Sequence, residues 1–391
     1  MGFQQTPTHK NGKGSFHQIG LVRGQFGNIP ESQWIRFIAE AGFDGWEEAS
    51  WELDLRKCDT DAGAAAFAAE RVALAKKHGL EIFTVATHLQ GQVLGDEPSA
   101  KTLNFCSGKG EAKAAYKAWR KAGNSPPRTD PYFVPDEVAK LVRAEAQKDL
   151  EACVRYAGHL SKLQGRKVAL PGFVGSPANC WSHWFLFPPL PGEIEGYNLP
   201  DVRELSLELL VERFSPVWKL CKEYGVTFDL ECHPSERAMG DLESAADYIQ
   251  HMNKAGFEGT VGFNLDGSHM EWQNVSVIQF IREFGQYIHC AHVKGVQVER
   301  EHCRGGRLGG HRGMGHWTNG WKFVTAGTQR DANSLEEIFI ELNRVGFDGA
   351  VSIEWEDNDA DQLAGAKAAL ANCRKADLPP SGMKHDEMLK G

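Results

Sequence analysis

The 391-residue chain has no CxxC pair, no long apolar run and no surplus of basic charge. Its nine cysteines stand singly and well apart. That excludes a disulfide-stapled scaffold and suits the reduced thiols of a cytoplasmic protein. No segment has the length and apolarity of a signal peptide or a membrane span, so no membrane partner is expected. Lys and Arg number 43 against 52 Asp and Glu, a net charge of −9. This balance disfavours sequence-independent attraction to nucleic acid and directs attention to small-molecule chemistry. GxGxxG is missing after the first strand-like segment and GxxxxGK[ST] is missing throughout, which removes the two familiar phosphate cradles of open α/β sheets.

What the chain does have is core-forming material, with 41% hydrophobic residues and 11 tryptophans, together with 42 glycines. Three glycine pairs close nearly the same phrase: AGFDG at 41–45, AGFEG at 255–259 and VGFDG at 345–349. Each follows an amphipathic stretch of helical length and precedes a strand-like run. The first glycine can end a helix at positive φ, the phenylalanine can tuck back, and the second glycine can admit the chain tightly into a strand. Strand-like runs recur near 17–21, 45–50, 80–89, 167–173, 226–233, 260–266, 287–294 and 350–356, separated by helix-like segments. Eight alternating units predict an α/β fold, a closed (β/α)8 barrel, with a large open α/β sheet as the alternative.

Residues 1–14 read as a flexible N-terminal arm, 15–373 as one barrel-type catalytic domain and 374–391 as a C-terminal tail. The tail is compatible with a loose end or with a strap onto a partner subunit in a homo-oligomer. Long irregular stretches near 90–130, 174–205 and 295–330 follow strands rather than helices. They are therefore expected to be enlarged loops on the catalytic face at the C-terminal ends of the strands.

Four late strands end in an acid or an imidazole: Glu231 in FDLECH, Asp266 in NLDGSH, His292 in CAHVKG and Glu354 in SIEWED. In a barrel these ends are neighbours and can converge on one cation. Three carboxylates and one imidazole suit a divalent ion such as Mn, Mg, Co or Zn better than a soft thiolate site. Taken singly, Asp266 could cap a turn, Glu354 could pair with an arginine, and His292 could hydrogen-bond within a core.

On these residues the sequence resembles the metal-dependent sugar isomerase and epimerase superfamily with a xylose-isomerase-like TIM barrel, over about residues 15–373. Ketose 3-epimerases and inosose-processing enzymes are the members it is most similar to. The resemblance implies one divalent metal, manganese first, held by Glu231, Asp266, His292 and Glu354. It also implies a sugar or polyol-derived substrate, and Asp266 with His269 in DGSHM matches the aspartate and, three positions later, the substrate-binding histidine of the ketose epimerases. Chemistry of that kind removes a proton beside a carbonyl, with Glu231 and Glu354 flanking the substrate and an enediolate between them.

Further candidates surround this set. His269 could bind a substrate hydroxyl, complete the metal set or simply occupy a turn. Lys294 could neutralise an enediolate oxygen or pair with a glutamate, while Glu47 and His88 could meet sugar hydroxyls or serve structural pairs. Glu356 or Asp357 could orient a ligand. Trp184, with Trp181, His183, Phe185 and Phe187, offers a patch for stacking on a sugar face or for a dimer contact.

Spacing separates this chain from compact superfamily members. Glu231 to Asp266 is 35 residues and Asp266 to His292 is 26, but His292 to Glu354 is 62. The excess contains His302, His311, His316, Arg300, Arg304, Arg307, Arg312, Trp317 and Trp321, read as a substrate lid, an oligomer contact or a solvated excursion. Together with the aromatic loop after the fourth strand, this excess points away from a small free ketose and toward a glycoside, a keto-sugar, an inosose or another bulky polyol derivative, and a metal-assisted lyase or dehydratase would share the first proton abstraction. A non-catalytic carbohydrate-binding or assembly subunit is the other class. Zinc-dependent endonucleases of abasic DNA, also in the wider superfamily, would call for a richer ligand set and a basic track.

Overall fold

A computed structural model describes residues 15–105, 110–184, 193–238, 240–299, 303–308 and 312–381. The expected arm, Phe185, Phe187, Arg300, His302 and His311 lie outside these residues. Among the described residues the strands are β1 (Ile19–Val22), β2 (Gly45–Ala49), β3 (Glu81–Ala86), β4 (Ala169–Gly172), β5 (Glu193–Ile194), β6 (Tyr197–Asn198), β7 (Thr227–Glu231), β8 (Val261–Asp266), β9 (Ile288–Val293), β10 (Gly295–Val298), β11 (Trp321–Val324) and β12 (Ala350–Ile353). Eight of them close a barrel in the order β1-β12-β9-β8-β7-β4-β3-β2. The pairs resolved between them are parallel. The remaining four form two small antiparallel ribbons, β5 with β6 and β10 with β11. No helix among the described residues is long and apolar enough to cross a membrane.

The chain packs as two compact units, one of residues up to Glu47, Ala75–Phe83 and Leu265 onward, the other of Glu48–Leu74 and Thr84–Asn264. In the first unit, the helix Glu31–Ala41 ends at Gly42 with φ 91°, whose N–H reaches back to the carbonyls of Ile38 and Ala39. Phe43 follows fully buried, and the Asp44 carboxylate accepts the backbone N–H of Ile19 at 2.9 Å, tying the turn to β1. The phrase at 345–349 repeats the device, with Gly346 at φ 74° and Phe347 buried. A Cβ on Gly349 would run into the carbonyl oxygen of His289, so the strand entrance has no room for a side chain.

In the second unit, strand alternation sorts the side chains. Phe228 of β7 faces Phe214 and Trp218 of the helix Val202–Tyr224, at ring separations of 5.6 and 6.4 Å. Thr227, Asp229 and Glu231 take the opposite face, and the Thr227 hydroxyl donates to Asp229 at 2.7 Å. Glu48 is buried in a bidentate pair with Arg71 and accepts from the Tyr156 hydroxyl.

Three stretches expected to be irregular contain regular elements. Residues 90–130 include the helix Glu111–Lys121, whose run EAKAAYKAWRK is alanine-rich and amphipathic, with Trp119 packed against Tyr116 and Phe133. The 295–330 stretch contains the β10–β11 ribbon, and 174–205 contains a short helix, Cys180–Trp184, and the β5–β6 ribbon. β3 also stops earlier than its apolar run implies, at Ala86, and His88 opens the helix His88–Gly95. Among the described residues eight cysteines are free, seven of them buried, and burial pushes the Cys58 thiol up to about 12, away from nucleophilic chemistry.

The helix Gln362–Ala376 is followed by Asp377, which is fully buried. Its carboxylate accepts the backbone N–H of His17 at 2.6 Å and meets His17 Nδ1 at 2.9 Å, and its carbonyl accepts from Phe16. Asp377→Ala leaves those groups buried without their acceptor. The expected loss is about 1–3 kcal/mol of unfolding free energy, read from a urea titration; an unchanged midpoint would remove the clamp from the account.

Candidate metal centre

Within the second unit, Glu231 ends β7 with its side chain buried. Asn264 Nδ2 donates to Glu231 Oε2 at 2.8 Å, and His88 Nε2 lies 3.2 Å from the same oxygen. The period of two explains the Asn264 contact, since it shares the inward face of β8 with Asp266. His88 is set by the first turn of its helix and by Phe173, whose ring meets the imidazole edge-on at 4.8 Å.

Within the first unit, β9 carries His292, and Lys294, in phase with it, directly follows the strand. His292 Nε2 lies 3.0 and 3.2 Å from the two Glu47 oxygens, and Nδ1 lies 3.3 Å from Glu354 Oε2. Glu47 is fully buried. A carboxylate on one ring nitrogen fixes the imidazole's orientation and tautomer, and turns the other nitrogen toward the strand ends. Asp266 caps the next short helix, Oδ1 accepting from Ser268 N at 2.9 Å and Ser268 Oγ at 2.6 Å. Its other oxygen, Oδ2, is buried, accepts no well-aligned hydrogen bond, and lies 2.9 Å from Lys294 Nζ and 3.5 Å from His269 Nε2.

Lys294 donates to Glu354 Oε2 at 2.7 Å and lies 3.2 Å from His269 Nε2 and 3.7 Å from Glu356 Oε2. Its ammonium sits 4.5 Å from the centre of the Phe323 ring, a residue of β11 that also meets the His269 ring edge-on at 5.4 Å. Burial pushes the Glu356 carboxyl above the usual carboxylate range, with the Lys294 ammonium pulling the other way.

One ligand atom each from Glu231, Asp266, His292 and Glu354 lies within 4.8 Å of the others, and a second grouping on the same limit joins His88 to Glu231 and His292. Three carboxylates, an imidazole and a buried carboxylate oxygen with spare acceptor capacity fit a divalent cation by the chemistry of the donors. Glu231, Asp266, His292 and Glu354, the candidates singled out in the sequence, are the residues that the four-membered grouping joins. Trp184 is placed differently, against the guanidinium groups of Arg237 and Arg203 at 4.8 and 5.9 Å. Asp357 holds Thr325 and Arg330 instead of a ligand. In the long excursion Trp321 stacks on Trp272 at 4.7 Å, Arg307 donates to the Trp272 carbonyl, and Trp317 is 78% exposed beside His316.

Sequence reading missed Gln25, Asn264 and Phe323. Asn264 was findable from its parity with Asp266. Gln25 and Phe323 arrive through a turn and a ribbon whose placement no local pattern encodes.

A family model described as xylose isomerase-like TIM barrel matches residues 130–376. The chain belongs to the xylose isomerase-like TIM barrel family. The match takes in Glu231, Asp266, His292 and Glu354, whereas Gln25, Glu47 and His88 precede it. A curated relative, the uncharacterized protein YfiH of Bacillus subtilis, is 32% identical over 111 residues, 28% of this chain and 36% of its own length, so the alignment spans about a third of that relative. Among solved structures, the 3-keto-D-glucoside 4-epimerase YcjR of E. coli aligns with TM-score 0.51 and 14% identity, covering 92% of this chain and 99% of that one. D-psicose 3-epimerase of Clostridium cellulolyticum, solved with D-tagatose, aligns with TM-score 0.51, 16% identity and the same coverages. The IolI protein, solved with a zinc atom, aligns with TM-score 0.50, 14% identity and coverages of 92% and 96%. At these identities the likeness is one of fold.

Glu47→Ala removes the carboxylate that meets His292 Nε2. Divalent-metal affinity is expected to fall about 10–100-fold with the circular dichroism spectrum unchanged, measured by calorimetric titration with Mn²⁺. Equal affinity in both proteins would contradict the orienting part given to Glu47.

Proposed function

We propose that the chain is a divalent-metal-dependent isomerase or epimerase of a sugar, keto-sugar or polyol derivative, working by proton transfer between carboxylates and substrate carbon. The observation that carries this reading is the meeting of four ligand atoms, from residues as far apart as Glu231 and Glu354, within 4.8 Å of one another. Membership of a family whose fold is shared by sugar epimerases supports it. Glu231, Asp266, His292 and Glu354 would hold the ion, Mn²⁺ in the first place and Mg²⁺, Co²⁺ or Zn²⁺ otherwise. When bound, such an ion polarises a substrate carbonyl and stabilises charge that develops on oxygen.

The chain's own groups then divide the work. Glu231, steadied by Asn264 and facing His88, and Glu354, steadied by Gln25 and Lys294, are the two carboxylates that exchange a proton with substrate carbon. For epimerisation one takes the proton from one face and the other returns one to the opposite face. For an aldose–ketose exchange the proton returns to the adjacent carbon. Lys294 and His269, 3.2 Å apart, are placed to hold a substrate hydroxyl or a developing oxyanion. Phe323 presses on both from the β11 side, so the long excursion between His292 and Glu354 contributes a wall of the site. That extra wall favours a keto-sugar or glycoside larger than a free ketose.

Incubation of the Mn²⁺-loaded protein in D₂O with a panel of free ketoses and 3-keto-glucosides tests this reading. Deuterium is expected at a carbon next to the carbonyl. Glu231→Gln and Glu354→Gln should each lower that incorporation by about 10²-fold or more, with metal content measured in parallel, whereas an exposed carboxylate such as Glu137, changed in the same way, should not. Undiminished incorporation in either variant would remove that glutamate from the proton path.

A further inference from the structure

We infer that Gln25 is a positioning residue for Glu354, a neutral clamp that holds one carboxylate oxygen and separates Glu354 from Glu356. The inference rests on the function proposed above. Gln25 lies in the single turn Gly24–Phe26 that follows β1. Its Nε2 donates to Glu354 Oε1 at 2.7 Å and lies 3.3 Å from Glu356 Oε1. Two carboxylate oxygens on the same amide decide its orientation, because an amide turned over would set its own oxygen against both of them.

The side chain issues from a well-held turn. The Gln25 carbonyl accepts from Gln362 Nε2 at 2.6 Å, and the Arg23 guanidinium closes the loop by donating to the carbonyls of Phe26 and Ile29 at 2.9 and 2.8 Å. Phe26 is fully buried and packs on Trp34 and Trp355 at 6.3 Å each. With Lys294 on Oε2 at 2.7 Å and Gln25 on Oε1 at 2.7 Å, both oxygens of Glu354 are directed and the plane of the carboxylate is fixed.

The choice of an amide has a physical consequence. Glu354 and Glu356 repel each other, and a donor placed between them relieves that repulsion. A second lysine would also do so, but its charge would oppose a divalent ion at the neighbouring ligand atoms. A neutral N–H orients the carboxylates and leaves their charge available.

Two variants of the full-length protein test this. Gln25→Ala deletes the donor, and Gln25→Glu keeps the side chain's size while replacing the donor with a third carboxylate. Positioning predicts that Gln25→Ala lowers kcat about 10–100-fold with KM changed little, for whichever member of the ketose and 3-keto-glucoside panel the wild type labels. Gln25→Glu should lose more turnover than Gln25→Ala and yet bind Mn²⁺ about three- to tenfold more tightly in calorimetry, since added negative charge attracts the ion. A space-filling role predicts the reverse order, with Gln25→Glu near wild type and Gln25→Ala the impaired one, and that result would overturn the inference. So would wild-type turnover in both variants. Wild type that takes up no Mn²⁺ would instead overturn the proposed function and this inference with it. Thermal melts of the metal-free variants control for folding, which tighter Mn²⁺ binding by Gln25→Glu would independently establish.

Discussion

Mutual repulsion among buried carboxylates is the constraint around which this structure is arranged. Ligand atoms of Glu231, Asp266 and Glu354 lie within 4.8 Å of one another, Glu47 stands behind His292 and Glu356 adjoins Lys294. At such distances each pair of ionised groups costs about 3–4 kcal/mol for an effective dielectric near 20. Lys294 supplies one positive charge, and Asn264 and Gln25 supply neutral donors. A divalent cation is the compact way to relieve the rest, and it is also what the proposed proton chemistry requires.

The barrel makes that concentration of charge tolerable by holding every participant from behind. Alternation along β7 and β8 turns Glu231, Asn264 and Asp266 to one face, while Phe228 and Phe263 face aromatic partners on the surrounding helices. The repeated glycine–phenylalanine turns, at Gly42–Phe43 and Gly346–Phe347, fasten helix ends to the starts of β2 and β12.

Much of this was legible in the residues. The ends of four late strand-like runs singled out Glu231, Asp266, His292 and Glu354, and the repeated GF(D/E)G phrase located the turns, because both depend on local patterns. Phe323 was not legible, since it reaches Lys294 through an antiparallel ribbon closed across residues 299–320, and pairing across a long connection leaves no local mark. Gln25 was hidden for a related reason: its meaning comes from Glu354, more than three hundred residues away. Trp184 was read as a patch for a sugar face or for a dimer contact; stacking potential alone does not choose among partners, and the guanidinium groups of Arg237 and Arg203 lie over its ring. The helix Glu111–Lys121 is legible in its alanines and charges, but it lies in a stretch that was read as a long irregular loop because it follows a strand.

The most direct test of the central claim is an anomalous-scattering map from a crystal of the protein grown with Mn²⁺. The account predicts one strong peak per chain within bonding distance of Glu231, Asp266, His292 and Glu354, with Lys294 drawn off the Asp266 oxygen. A map with no peak there, and the Lys294 ammonium still seated between Asp266 and Glu354, would contradict it.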